Sequence, residues 1–228
     1  MKKIATGKTK DVYDLENGNY QFIFKDDMTG VDGVFDPGAN TVGLTVEGAG
    51  LAGLAMSVYY FRLLEEKGFP TNFISAEENR MTIKPATHFG GGLEVICRYK
   101  AIGSFFRRYG AYIKEGTPLD SLIEMTLKDD DRGDPLINED ALIAIGILKP
   151  GEYETIKKLT QKISEAIKQD LESKNLELCD IKLEFGKDKN GRIMLIDEVS
   201  GGNMRVTENG KSIQPIELSK RVTSGKCT

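Results

Sequence analysis

The chain has 228 residues, 39% of them hydrophobic and 29% charged, a composition that supports one large core or two small ones. A formal net charge of -4 argues against general binding to nucleic acid or to an acidic membrane surface, while leaving room for a local basic pocket. The single histidine, His88, leaves little for a histidine triad or a histidine zinc centre.

No apolar run is long enough to span a bilayer, and the opening MKKIATGKTK carries no apolar leader core, so a cytoplasmic protein is expected. Cys97, Cys179 and Cys227 are widely spaced and form no metal-like cluster, as in a chain whose thiols stay reduced.

Residues 2–36 read as short strands and turns, with YQFIFK a strand entering Asp26-Asp27. Gly7-Lys8-Thr9-Lys10 reads either as a charged surface hairpin or as a mobile lid laying ammonium groups over a polyphosphate; the P-loop spacing is absent. Asp36 to Gly53 is rich in glycine and reads as loop and close backbone approach leading into a helix, whose Leu54, Met56, Val58, Tyr59, Phe61 and Leu64 are apolar, its aromatics belonging to the core, and which Gly68-Phe69-Pro70 stops.

Strands follow at 72–75, 80–85 and 93–98, the last alternating around Glu94 and ending in Arg98. Arg98, Lys100, Ser104, Arg107 and Arg108 then fall within eleven residues, which suits either a phosphate ester or a solvated helix face. Asn138-Glu139-Asp140 can cap a helix, and 150–174 is a long amphipathic helix with Ile156, Leu159, Ile163, Ile167 and Leu171 on one side.

The stretch from Asp180 to Arg205 reads as strand, turn and strand. Period-two alternation puts Lys182 and Glu184 on one face and Ile181, Leu183 and Phe185 on the other; Asn190-Gly191 makes the turn, and the second strand, 193–199, ends in Asp197-Glu198. With neighbouring strands about 5 Å apart, Glu184 and Asp197 can approach one cation, which suggests a magnesium-nucleotide platform.

Six blocks in order resemble the phosphoribosylaminoimidazole-succinocarboxamide synthase (SAICAR synthetase) family: GKTKDVY at 7–13, FKDD at 24–27, EKGFPT at 66–71, LEVICRYKAIGSFFRRYG at 93–110, KDDDRGDPLINED at 128–140 and LCDIKLEFGKDKNGRIMLIDEVS at 178–200. The resemblance implies an α+β fold: a small N-terminal β-rich lobe with its covering helix over 1–86, a larger α+β lobe over 87–228, and an ATP-grasp-like or kinase-like cleft for ATP. It implies an ATP- and Mg2+-dependent ligase of purine biosynthesis, joining L-aspartate to the carboxylate of carboxyaminoimidazole ribonucleotide through an acyl phosphate. The partners implied are small molecules, with neither nucleic acid nor membrane, and a homodimer is compatible with it.

Carried over residue by residue, Lys8, Lys10 and Lys128 resemble nucleotide contacts, and Glu184 and Asp197 the carboxylates for magnesium and nucleotide. Arg98, Ser104 and Arg205 resemble contacts to the ribonucleotide, with Asp180, Lys182 and Arg205 nearer the reacting acceptor.

Two segments depart from the family's pattern. VEGAGLAGLAMS at 46–57 lacks a lysine and paired asparagines usual there, and SGGNMR at 200–205 replaces a Pro-Asp pair with Gly201-Gly202; the helical region that usually follows is shortened. A divergent enzyme using ATP on a different carboxylate or other small acceptor, and a non-catalytic nucleotide-binding protein, are the alternative readings.

Overall fold

A computed structural model describes residues 1–39 and 41–224; the expectation for Cys227 lies outside them. The fold is α+β, with a β-rich N-terminal lobe and a larger α+β lobe. Two compact units form, one of Met1–Thr87, Gly186–Asn203 and Ile213–Thr228, the other of His88–Phe185 and Met204–Ser212.

The first unit begins with β1 (Lys2–Thr6), β2 (Lys10–Asp14), β3 (Tyr20–Phe24), β4 (Asp27–Val31), β5 (Val34–Phe35) and β6 (Val42–Thr45), followed by α1 (Ala49–Glu66), β7 (Phe73–Glu77) and β8 (Arg80–Ile83). An antiparallel sheet runs β1-β2-β3-β8-β7, and β4 lies between β5 and β6 in a smaller one. Alternation along β3 turns Phe22 and Phe24 inward. Helix α1 buries Leu54, Met56, Tyr60, Phe61 and Leu64, with Phe61 stacked on Phe73 at a centroid distance of 5.6 Å. Tyr59 is only half-buried.

The glycine-rich stretch differs from the expected loop, since β6 and the first turn of α1 both fall inside it. The reason lies at Gly50, where a Cβ would sit 2.8 Å from the Lys25 carbonyl oxygen. The helix start is pressed against backbone, and only glycine permits that approach. Gly68 ends α1 in the left-handed conformation, at φ +80°, as the sequence predicts.

The chain continues through β9 (Thr87–His88), β10 (Leu93–Lys100), α2 (Gly103–Tyr109), β11 (Pro118–Leu127), a 3-10 turn at Asp130–Arg132, α3 (Glu139–Ala144) and α4 (Glu152–Glu172). β12 (Glu177–Lys187), β13 (Ile193–Ile196), β14 (Met204–Glu208), β15 (Lys211–Ser212) and α5 (Pro215–Thr223) complete it. In the second unit the antiparallel order is β11-β10-β12-β14-β15.

Asn138 caps α3 as expected, its side-chain oxygen accepting from the Ala141 amide at 2.9 Å. Helix α4 lies on β10 and β11 and buries Ile156, Ile163, Ile167 and Leu171, while Leu159 is half-buried. It covers the face carrying Cys97 and Tyr99, since Lys168 sits 5.5 Å from the Tyr99 ring centroid. Both Cys97 and Cys179 are buried free thiols, and burial pushes each thiol's pKa up.

The predicted hairpin forms with shifted ends. β12 is longer than expected, and β13 stops at Ile196 rather than Val199 because Asp197 takes φ +68°, which no strand can continue. Ser200 to Asn203 closes on itself, the Asn203 side-chain oxygen accepting from the Ser200 amide and hydroxyl, each at 3.1 Å. Gly201 there has a structural reason, because a Cβ would lie 2.7 Å from Pro215 Cα at the start of α5.

Candidate active site on the charged face of the sheet

The charged face of the second unit's sheet is built by register, on the side away from α4. Glu94, Ile96 and Arg98 of β10 stand opposite Glu184, Lys182 and Asp180 of β12. On the other side Glu94 and Ile96 face Thr126 and Glu124 of β11, and Asp180 pairs with Arg205 of β14. Because strand side chains alternate, these polar groups share one face while Val95, Cys97, Ile181 and Leu183 share the other. The parity expected for Lys182 and Glu184 is the parity observed.

Arg98 lies at the centre of one group, its side chain only 3% exposed. Its NH1 donates to Asp180 Oδ2 at 3.0 Å, its NH2 to the Ser104 hydroxyl at 2.8 Å and its Nε to Glu124 Oε2 at 2.6 Å. Arg205 NH1 donates to the same Asp180 oxygen at 2.8 Å. Burial pushes the Asp180 carboxyl above its ordinary pKa, against the pull of Arg205 and Arg98. Gly103, at φ +55°, lets the chain pass Arg205 closely, since a Cβ there would meet Arg205 Cζ at 2.8 Å. Arg98, Ser104, Asp180 and Arg205 therefore come together, as a phosphate-ester or carboxylate contact requires.

Farther along the same face, Lys182 Nζ donates to Glu94 Oε1 at 2.7 Å, and Thr126 donates to Glu94 Oε2 at 3.1 Å. Lys128 Nζ donates to Glu184 Oε1 at 2.8 Å. Charge thus alternates along β12, and the buried carboxylates of Glu94 and Glu184 each have a lysine counter-ion.

In the first unit, Lys10 opens β2 just after the turn of the β1-β2 hairpin, and its side chain is buried instead of lying on the surface. Its residue is 8% exposed, and its ammonium lies 3.0 Å from Asp197 Oδ1 and 3.1 Å from Glu198 Oε1. Burial alone would lower its pKa, but Asp197 and Glu198 overcome this and hold it well above the ordinary lysine value. Thr9 also donates to Glu198, at 3.1 Å. Lys8 is half-buried in the turn before β2, where the Gly7 amide donates to the Lys10 carbonyl at 2.9 Å. Asp197 holds its left-handed backbone at a cost of about 1 kcal/mol or more, of the kind that marks functional positions.

Three carboxylates escape the sequence reading of the site. Glu94 is the alternating residue at the head of its strand, Glu124 sits in an ordinary-looking strand, and Glu198 is the second member of the Asp197-Glu198 pair. Only the strand register and the tertiary pairing give them partners.

Among the described residues no group of three or more His, Cys, Asp or Glu side chains is gathered as a metal cluster. Glu184 and Asp197 nevertheless offer hard carboxylate oxygens, and magnesium commonly takes one or two such groups together with substrate phosphates and water. Each carboxylate, Glu184 in the second unit and Asp197 in the first, has donor chemistry that suits magnesium.

A family model described as SAICAR synthetase matches residues 3–223. The phosphoribosylaminoimidazole-succinocarboxamide synthase of Clostridium tetani is 56% identical over 97% of this chain and 99% of its own length. That of Finegoldia magna is 39% identical over 90% of this chain and 85% of its own length. Among solved structures, a SAICAR synthetase (Type-2) in complex with ADP superposes with a TM-score of 0.86 at 30% identity, covering 98% of this chain and 99% of that one. The SAICAR synthetase of Pyrococcus horikoshii OT3 gives a TM-score of 0.82 at 30% identity, over 96% of this chain and 99% of that one. The C-terminal helix α5 packs on α1. The chain belongs to the SAICAR synthetase family of ATP-dependent ligases.

Proposed function

We propose that the chain joins L-aspartate to the carboxylate of carboxyaminoimidazole ribonucleotide with hydrolysis of ATP to ADP and phosphate, in the cytoplasm. The observation that carries this reading is the charged ladder, where Arg98, Ser104, Asp180 and Arg205 gather at one end and Lys128 pairs with Glu184 at the other. The names of the relatives and the ADP complex of one structural neighbour support it.

In this reading Lys8, Lys10, Lys128, Glu184 and Asp197 contact the nucleotide, and Glu184 and Asp197 hold magnesium. The ion would supply charge neutralisation on the phosphates. Arg98, Ser104 and Arg205 hold the ribonucleotide phosphate, and Asp180 keeps the two arginines in place. Lys182, held by Glu94, lies toward the carboxylate that reacts.

A carboxylate oxygen attacks the γ-phosphorus, the bond to the β-γ bridging oxygen breaks, and ADP leaves. The aspartate nitrogen then attacks the acyl carbon, phosphate departs with the bonding pair, and the amine loses a proton. Such chemistry asks the protein to orient the reactants and balance charge more than to supply a nucleophile.

Incubation with ATP, magnesium, aspartate and the carboxylated ribonucleotide should give the succinocarboxamide product, ADP and phosphate in equal amounts by mass spectrometry and phosphate assay. ATP turnover with another carboxylate and none with this ribonucleotide would instead establish the divergent reading, which the Gly201-Gly202 replacement favours.

A further inference from the structure

Glu124 is buried on the charged face, its side chain 9% exposed, and no contact to nucleotide or substrate is assigned to it above. It accepts from Arg98 Nε at 2.6 Å through Oε2, and Arg108 NH2 lies 2.7 Å from each of its oxygens. Arg98 is consequently fixed at all three of its nitrogens, by Glu124, Asp180 and Ser104.

The surrounding group has three guanidinium ions, of Arg98, Arg108 and Arg205, against the two carboxylates of Glu124 and Asp180. The two carboxylates hold close together guanidinium groups that would otherwise repel one another. Arg108 and Ser104 both ride on the short helix α2, whereas Arg98 stands on β10. Glu124 therefore ties the helix to the strand and sets Ser104 beside Arg98.

We propose that Glu124 is a positioning residue for recognition of a phosphate monoester: it presets Arg98 and Arg108 as a fork and fixes Ser104 next to them. The phosphate is that of the substrate assigned under Proposed function, and to that extent the inference rests on that assignment. A carboxylate at this point does two things that an amide cannot. It neutralises the arginine-arginine repulsion before the ligand arrives, and it accepts from both guanidinium groups without turning an N-H toward either. The ligand then meets donors already in place instead of ordering them itself.

The full-length wild type, Glu124→Gln and Glu124→Asp are compared in two assays, with thermal midpoints recorded alongside. In steady-state kinetics, Glu124→Gln should raise KM for carboxyaminoimidazole ribonucleotide on the order of ten- to hundredfold. KM for ATP should stay unchanged, and Glu124→Asp should recover part of the loss. In calorimetry without other substrates, wild type should bind ribose 5-phosphate and not ribose, and Glu124→Gln should weaken that binding by a similar factor.

If no succinocarboxamide forms but the calorimetric result holds, the proposed reaction falls and the role of Glu124 stands. The role is overturned if wild type does not bind ribose 5-phosphate, if Glu124→Gln binds it as wild type does, or if KM for ATP rises in parallel. Should Glu124→Gln fail to fold, Arg108→Leu removes the clamp from its more exposed side. Unaltered binding in that variant overturns the proposal, and weakened binding supports it.

Discussion

Replacing Lys10 with methionine removes the positive member of a buried triad and leaves Asp197 and Glu198 side by side. Breaking a buried ion pair from one side costs about 3–5 kcal/mol, because the remaining charge is neither solvated nor paired. The lower part of that range is expected, since the Asp197 side chain is 20% exposed and Thr9 still donates to Glu198. Urea unfolding should therefore show Lys10→Met destabilised by about 3 kcal/mol.

Glu198→Gln in the same background should return part of this, with a coupling energy of about 1–3 kcal/mol in the double-mutant cycle. The pH dependence has a defined sign. The folded-state pKa of Lys10 is raised, so its contribution is complete below the ordinary lysine value of 10.5 and is lost as pH climbs through the folded value. The gap between wild type and Lys10→Met should stay constant up to that pH and narrow beyond it. A coupling energy indistinguishable from zero would refute the triad as a source of stability.

Gly201→Ala should destabilise by about 1–3 kcal/mol, because its methyl group would meet the backbone of Pro215 and push α5 outward; protease cleavage within α5 should increase with it. Gly103→Ala combines a left-handed φ with a clash against Arg205, so it should raise KM for the ribonucleotide while KM for ATP stays constant. Cys97 and Cys179 should react with a thiol reagent at least about a hundredfold slower in the native chain than in urea, since both are buried with raised pKa. Mass-mapped alkylation reads each thiol separately.

Period-two alternation was enough to place Lys182 and Glu184 on one face of β12, because a strand leaves a side chain no other option. Helix α4 was legible for a similar reason, with its isoleucines spaced along one side. Glu124 was not, since a strand reading PLDSLIEMTL shows nothing of the two arginines that meet it. The burial of Lys10 was not legible, since it depends on carboxylates far along the chain. The glycine density of 36–53 points to loop and to close backbone approach; the approach is found at Gly50 against Lys25, but inside the first turn of a helix, which density alone does not show. The early end of β13 follows from the backbone angle at Asp197, an aspartate that the sequence does not distinguish from a strand residue.

The ion pair between Lys10 and Glu198 joins residues 188 positions apart. On a ribosome, which delivers the chain from its N-terminus, β2 would emerge with its buried lysine long before either carboxylate. Residues 88–185 would be synthesised in the meantime, and α5, which packs on α1, comes later still. The unit that contains the N-terminus is thus among the last parts of the molecule that can be finished. A nascent chain halted before Asp197 would hold Lys10 without its two carboxylate partners and α1 open on the side that α5 covers, a state suited to chaperone capture.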